Sequence, residues 1–322
     1  MIYRGVSIMT LDKALEIDPV DVQTKITRFI SSVLKKRDIE GFIISYRDCL
    51  EVIINVHLAK EIVGRKNVKI LVTKGRLIVK QPREEMDLLT INKYLNLPPE
   101  NVIFANKGKI LKEIREVYTN HHDVRFGFGL DTVPLLNYNL SYLLLRDMAN
   151  LEIEKKTYAP PSKKPISQRE KFIQRTIAHH KSQIRLGVLL AFLLAESENR
   201  SVIGSPNKTE WSLGLFTKFG KYQACDFLPL ASLYRTQVIQ LANHLGFQDY
   251  LTSKIPQSPS TYEYLFNIKV DEVDRILVRL EAGSSEETIL EETELPLESI
   301  KKVNHYYRAS EYARRVPLIP EL

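Results

Sequence analysis

Lys208, Glu210 and Lys218 lie within eleven residues of one another and could handle a phosphate and a divalent cation together. They follow a short apolar run, Val202-Ile203, and a Gly204-Ser205-Pro206-Asn207 turn. The run reads as the end of a strand, and 208–215 as a helix opened by that turn. Such a passage from strand to helix offers free backbone N–H groups and the positive end of a dipole, which suits an anion. Lysines serve phosphate oxygens, and a glutamate serves a metal such as Mg²⁺. The plainer reading of Glu210 is a first-turn helix acid.

The elements that must carry these groups alternate in type. Asp18-Pro19 is an N-cap followed by proline, and Val22, Ile26, Phe29, Ile30, Val33 and Leu34 recur at helical spacing. A strand is expected at 41–45, a helix at 49–63 ended by Gly64, a strand at 68–72, a helix at 84–95 and a strand at 102–104. Further helices are expected at 235–245, closed by Gly246, and at 270–280, with Asp271, Glu272 and Asp274 on a polar side. This alternation predicts an α/β fold: a doubly wound, Rossmann-like parallel sheet flanked by helices, with ligands at the C-terminal strand ends.

The stretch 202–246 resembles the NAD synthase family. Gly204-Ser205-Pro206-Asn207-Lys208-Thr209-Glu210 is similar to its G-T-G-N-K-[ST]-E, and Gly214 to Gly220 to its G-[YF]-F-T-K-[YF]-G. Asp226 to Gly246 follows its D-x-x-P…L-x-[KR]-[TS]-Q-V…L-G text, Lys254-Ile255-Pro256 its K-x-P, and Ser310 to Pro317 its S-E-H-K-R-R-x-P. The resemblance implies an adenine nucleotide alpha-hydrolase-like fold and a homodimer. It also implies ATP and Mg²⁺ as cofactors, with an adenine nucleotide or deamido-NAD as ligand. By it, Glu210 is a metal ligand and Ser45, Arg185, Ser205, Lys218, Asp226 and Lys254 are nucleotide-binding. Glu263 is the one acid kept from a loop that covers the dinucleotide.

The loop after the first strand departs from the family. Its S-G-G-x-D-S is Ser45-Tyr46-Arg47-Asp48-Cys49-Leu50 here, with both glycines gone and Asp48 one position early. A Cβ at either glycine blocks close approach of backbone to phosphate. Side chains at 46 and 47 are therefore expected to fill the room a triphosphate needs. Arg47 could grip an anion by its side chain instead, and Asp48 could be a second metal ligand. Other phosphate-facing positions are also lost, while the fold-building ones survive.

Residues 120–168 have no counterpart in the family pattern. They hold an apolar helix-like run at 135–151 and a Pro/Lys linker, so the division reads 1–119, an insertion 120–168, and 169–322 of the same α/β domain. The basic run 155–185 invites an RNA-associated reading, but it has Phe172 with little other aromatic interleaving and reads better as a solvated linker and helix face. Net charge is +7, and the two cysteines, Cys49 and Cys225, are expected to be reduced thiols. No apolar window long enough for a membrane span occurs, and the N-terminal residues lack a signal peptide's apolar core, so the chain is expected to be cytoplasmic. The losses cluster on phosphate and metal. The first expectation is thus an NAD synthase-like nucleotide- or partner-binding homologue without amidating activity. The alternatives are an active ammonia-dependent NAD synthase and the RNA-associated protein.

Overall fold

A computed structural model describes residues 12–47, 49–74, 90–107, 110, 113, 168–220, 223–253 and 260–314. Four parallel strands form one sheet: β1 (Gly41–Ser45), β2 (Val68–Lys74), β3 (Val102–Asn106) and β4 (Arg200–Ile203). Their order is β3-β2-β1-β4, so β1 is an inner strand: the chain runs outward from it through β2 to β3 and then crosses back to β4 on its other side. Register places Ile44 beside Ile70 and beside Ile203. Beyond β4 the chain returns at Phe227, bridged in parallel to Ile203. This is the doubly wound α/β arrangement expected from the alternation of elements.

The helices are α1 (Pro19–Arg37), α2 (Leu50–Val63), α3 (Gln168–Ser197), α4 (Lys208–Leu213), α5 (Arg235–His244) and α6 (Gln248–Ser253). These are followed by α7 (Thr261–Phe266), α8 (Val270–Glu281), α9 (Glu286–Thr293), α10 (Leu297–Ala309) and α11 (Glu311–Arg314). Asp18 caps α1 by accepting from the N–H groups of Val20 and Asp21, as its position before Pro19 predicts. Of the helix expected at 84–95, the described part is a short π-helical turn, Ile91–Leu95. Of the insertion expected at 120–168, all but Gln168, the first residue of α3, lies outside the described residues.

Side chains alternate across the strands, and each face finds its own helices. Phe42, Ile44, Val68, Ile70 and Ile203 pack with α1, α2 and α5 through Ile30, Ile54 and Leu241. Ile43, Leu71 and Val202 face α3 through Ala191 and Ala195. A third cluster, built from α4, α7, α8, α9 and α10, carries Leu213, Phe266, Ile276, Ile289 and Ile300. Helix α2 is buried nearly all round because it lies between the sheet and α1 and α5. At Gly41 a Cβ would stand 2.1 Å from the Asn67 carbonyl oxygen, so only glycine allows β1 this close to the turn before β2.

Candidate functional site

The loops after β1 and β4 lie side by side because those strands are neighbours. Tyr46 donates its N–H to the Leu71 carbonyl at 2.9 Å and so extends the ladder by one residue. With Phe42 and Ile44 it shares the even-numbered face, and its ring is buried in the same core. The expectation that residue 46 fills a phosphate site is thereby corrected: strand alternation turns Tyr46 inward. Arg47 is the first residue to face the cleft, with 43% of its side chain exposed.

In the buried layer beneath, Asn55 of α2 donates Nδ2 to both the Gly204 carbonyl and Ser205 Oγ at 3.1 Å. Ser205 is buried in that contact. Asn207 caps α4: its Oδ1 accepts from the Glu210 N–H at 2.9 Å, and its Nδ2 donates to Glu51 Oε1 at 2.8 Å. The Gly-Ser-Pro-Asn turn thus opens a helix as the sequence predicts.

Two carboxylates and two guanidinium groups meet there. Arg235 Nη1 donates to Glu51 Oε1, which is almost wholly buried. Arg47 Nη2 lies 3.4 Å from Glu210 Oε1. Burial alone would push Glu51 up, but Arg235, and after it Arg47, hold its carboxyl below the usual carboxylate range. Glu210 goes the other way. Burial raises it and the charge of Glu51 adds to the shift, against the pull of Arg47 and Arg235. Glu51 is well satisfied; Glu210 is not. Its Oε2 is buried with no hydrogen-bond partner among the described residues. That oxygen fits a divalent cation, since Mg²⁺ is held by one or two carboxylates with water and substrate phosphates.

Beneath this cluster sits Asp274 of α8. It was expected on a polar helix side, yet it is fully buried. It accepts from Thr209 Oγ1 at 2.5 Å and from Thr236 N and Oγ1 at 2.8 and 2.6 Å. Those bonds explain why a carboxylate is tolerated in the core. Burial still raises its pKa to about 6, against the hydrogen bonds from Thr209 and Thr236.

A model of the NAD synthase family matches residues 145–317, more than half of the sequence. The chain belongs to the NAD synthase family. Its relatives include an NH(3)-dependent NAD(+) synthetase of Hyperthermus butylicus, 37% identical over 143 residues, which are 42% of this chain and 51% of that one. One of Methanocaldococcus jannaschii is 35% identical over 146 residues, 44% and 55% of the two chains. The chain thus spans about half the length of the curated relatives it matches. In fold it is similar to the NH3-dependent NAD synthetase of Campylobacter jejuni, with a TM-score of 0.63, 17% identity, and coverage of 95% of this chain and 100% of that one. The NMN synthetase of Francisella tularensis has a TM-score of 0.62 at 17% identity and the same coverage.

Of the residues the family resemblance marks, Ser205 and Glu210 lie beyond the end of β4 and Ser45 is the last residue of β1; Arg47, which stands where the family has a glycine, meets Glu210 there. Arg185 meets Lys218, donating Nε and Nη2 to its carbonyl at 3.2 and 3.1 Å, and Lys218 Nζ lies over the Phe219 ring. Asp226 accepts from the Val202 N–H at 2.8 Å and ties the returning chain to β4. Glu263 is spent in a capping box with Ser260 at the start of α7, so it is a helix cap rather than a surviving site acid. Asp48 and Lys254 lie outside the described residues, as do residues 155–167 of the basic run, while 168–185 belong to α3. Both cysteines are free thiols.

Sequence reasoning missed Glu51, gave Arg235 no role in the site, and gave Asn207 only a turn. One signal was available: Glu51 is a lone acid in the apolar run Leu50 to Val56. No helix among the described residues is long and apolar enough to cross a membrane.

Proposed function

We propose that this chain is an ammonia-dependent amide ligase of the NAD synthase type. It joins the carboxylate of deamido-NAD to the AMP portion of ATP, releases pyrophosphate, and lets ammonia displace AMP to give the amide. The observation that carries this reading is Glu210 Oε2, a buried carboxylate oxygen without a partner among the described residues, beside the end of the central strand. Glu210 would hold the Mg²⁺ that accompanies ATP, and Arg47 and Ser205 would meet the nucleotide. The names of the relatives support this alternative over the loss of activity first expected from the loop. A cytoplasmic homodimer is proposed with it.

A second reading has its own observation. Arg47 occupies Glu210 Oε1, and the loop 45–50 has no glycine to admit phosphate to its backbone. On that ground the chain binds a nucleotide or a partner without amidation. Calorimetric titration with ATP–Mg²⁺ and with deamido-NAD, followed by an ammonia-dependent NAD assay, separates the two. Turnover that vanishes in Glu210→Ala supports the ligase. Tight binding with no turnover supports the second reading and sinks the first.

A further inference from the structure

Asp274 is a carboxylate with no surface exposure, placed where α4, α5 and α8 meet. A buried ionisable group of this kind is a poor source of stability, since an apolar side chain of similar size fills such space as well. What a carboxylate adds is direction. Its Oδ1 takes the hydroxyl proton of Thr209, the residue before Glu210. Its Oδ2 takes the N–H and hydroxyl of Thr236, the residue after Arg235. The bonds are also chained. Thr209 Oγ1 accepts from the Arg235 N–H at 2.8 Å, and a hydroxyl has one proton to give. Because that proton goes to Asp274, the lone pairs of Thr209 are left facing Arg235.

We propose that Asp274 is the positioning residue of the site, holding from below the two helix starts that carry Glu210 and Arg235. The inference rests on the reading of these two side chains as parts of a nucleotide site. Asp274 is wholly buried and acts through Thr209 and Thr236. It fixes the backbone on either side of the charge cluster, so that Arg235 reaches Glu51 and Glu210 stands opposite Arg47. An asparagine keeps the shape and breaks the pattern. Its one oxygen must stay on the Thr236 N–H, which leaves its amide donating toward Thr209, whose own proton then lacks an acceptor.

The chain has a single tryptophan, Trp211, next to Glu210 on α4 and stacked on Phe216 at 4.8 Å. Its fluorescence reports the placement of α4 with no ligand present. In Asp274→Asn that still melts cooperatively, Trp211 emission shifts to the red and acrylamide quenching rises. The Kd for ATP–Mg²⁺ increases by about tenfold, the scale of one charge-assisted hydrogen bond. Thr209→Val reproduces both effects. Wild-type emission, quenching and affinity in Asp274→Asn would overturn the proposal. A lower melting temperature with both readouts untouched would also overturn it, marking a structural tie only. If Asp274→Asn does not fold, Thr236→Val removes one bond and is read the same way. Absence of amidation, or of ATP binding, in the wild-type chain sinks the functional reading above, while the Trp211 measurements still decide the role of Asp274.

Discussion

Arg47 and Glu210 are 163 residues apart in sequence and meet across the cleft, Nη2 to Oε1, at 3.4 Å. The contact is long and Arg47 is half-exposed, so it contributes little to stability, on the order of 0–1 kcal/mol. Its use lies in reach: a half-exposed guanidinium beside a carboxylate can also meet a phosphate. We expect Arg47→Ala to leave the melting temperature nearly unchanged and to weaken ATP–Mg²⁺ binding by about tenfold. Calorimetry beside a thermal melt checks both. Unchanged or tighter binding would mean that Arg47 only blocks Glu210.

Glu210 should show a trade of stability for function. Burial, with the charge of Glu51 adding to it, raises the Glu210 pKa in the folded state. A carboxyl raised on folding gives its full contribution below the unfolded value and loses it as pH rises through the folded one. The ionised form of Glu210 is therefore a burden on the fold. Glu210→Gln is expected to unfold at higher denaturant than wild type at pH 7, with the gap closing as pH falls. The same variant loses Mg²⁺-dependent ATP binding. Urea midpoints across pH test the first half and calorimetry the second.

The same sign applies to Asp274, whose folded value of about 6 stands above its model-compound value of 3.8. Its contribution is complete below the unfolded value and is lost as pH rises through about 6, a swing of about 3 kcal/mol. Glu51, held low by Arg235, acts in the opposite sense and loses its contribution as pH falls. Subtracting the unfolding free energy of Asp274→Asn from that of wild type at each pH isolates the Asp274 part. That difference should decline between pH 4 and about pH 6 and level off above it. A flat difference would show that Asp274 is not raised.

Gly214 ends α4 with φ +68°, and a Cβ there would lie 2.6 Å from Ser310 Cβ. Ser310 Oγ in turn donates to the Ser212 carbonyl at 2.6 Å. The C-terminal motif thus braces the helix that carries Glu210. Gly214→Ala must accept both a left-handed backbone and a clash, and is expected to lose at least ~2 kcal/mol. Chemical denaturation measures this; a loss under about half of that would mean that α10 moves aside easily.

The sequence by itself determined the local elements. Short apolar runs at 41–45 and 68–72, Asp18-Pro19 before α1 and the Gly204 to Asn207 turn before α4 encode their conformations within a few residues, because such runs and caps are local signals. The family motif around Glu210 was legible in the same way. Partners were not. Tyr46 looked like an obstacle to phosphate until β1 extended one residue further and turned its ring inward. Asp274 looked like a surface acid on an amphipathic helix until the threonines of α4 and α5 closed on it. Which guanidinium faces which carboxylate follows from the parallel register of β1 with β4 and the packing of α2, α5 and α8 against them. Those contacts join residues far apart in sequence, and no local pattern encodes them; only the folded chain decides them.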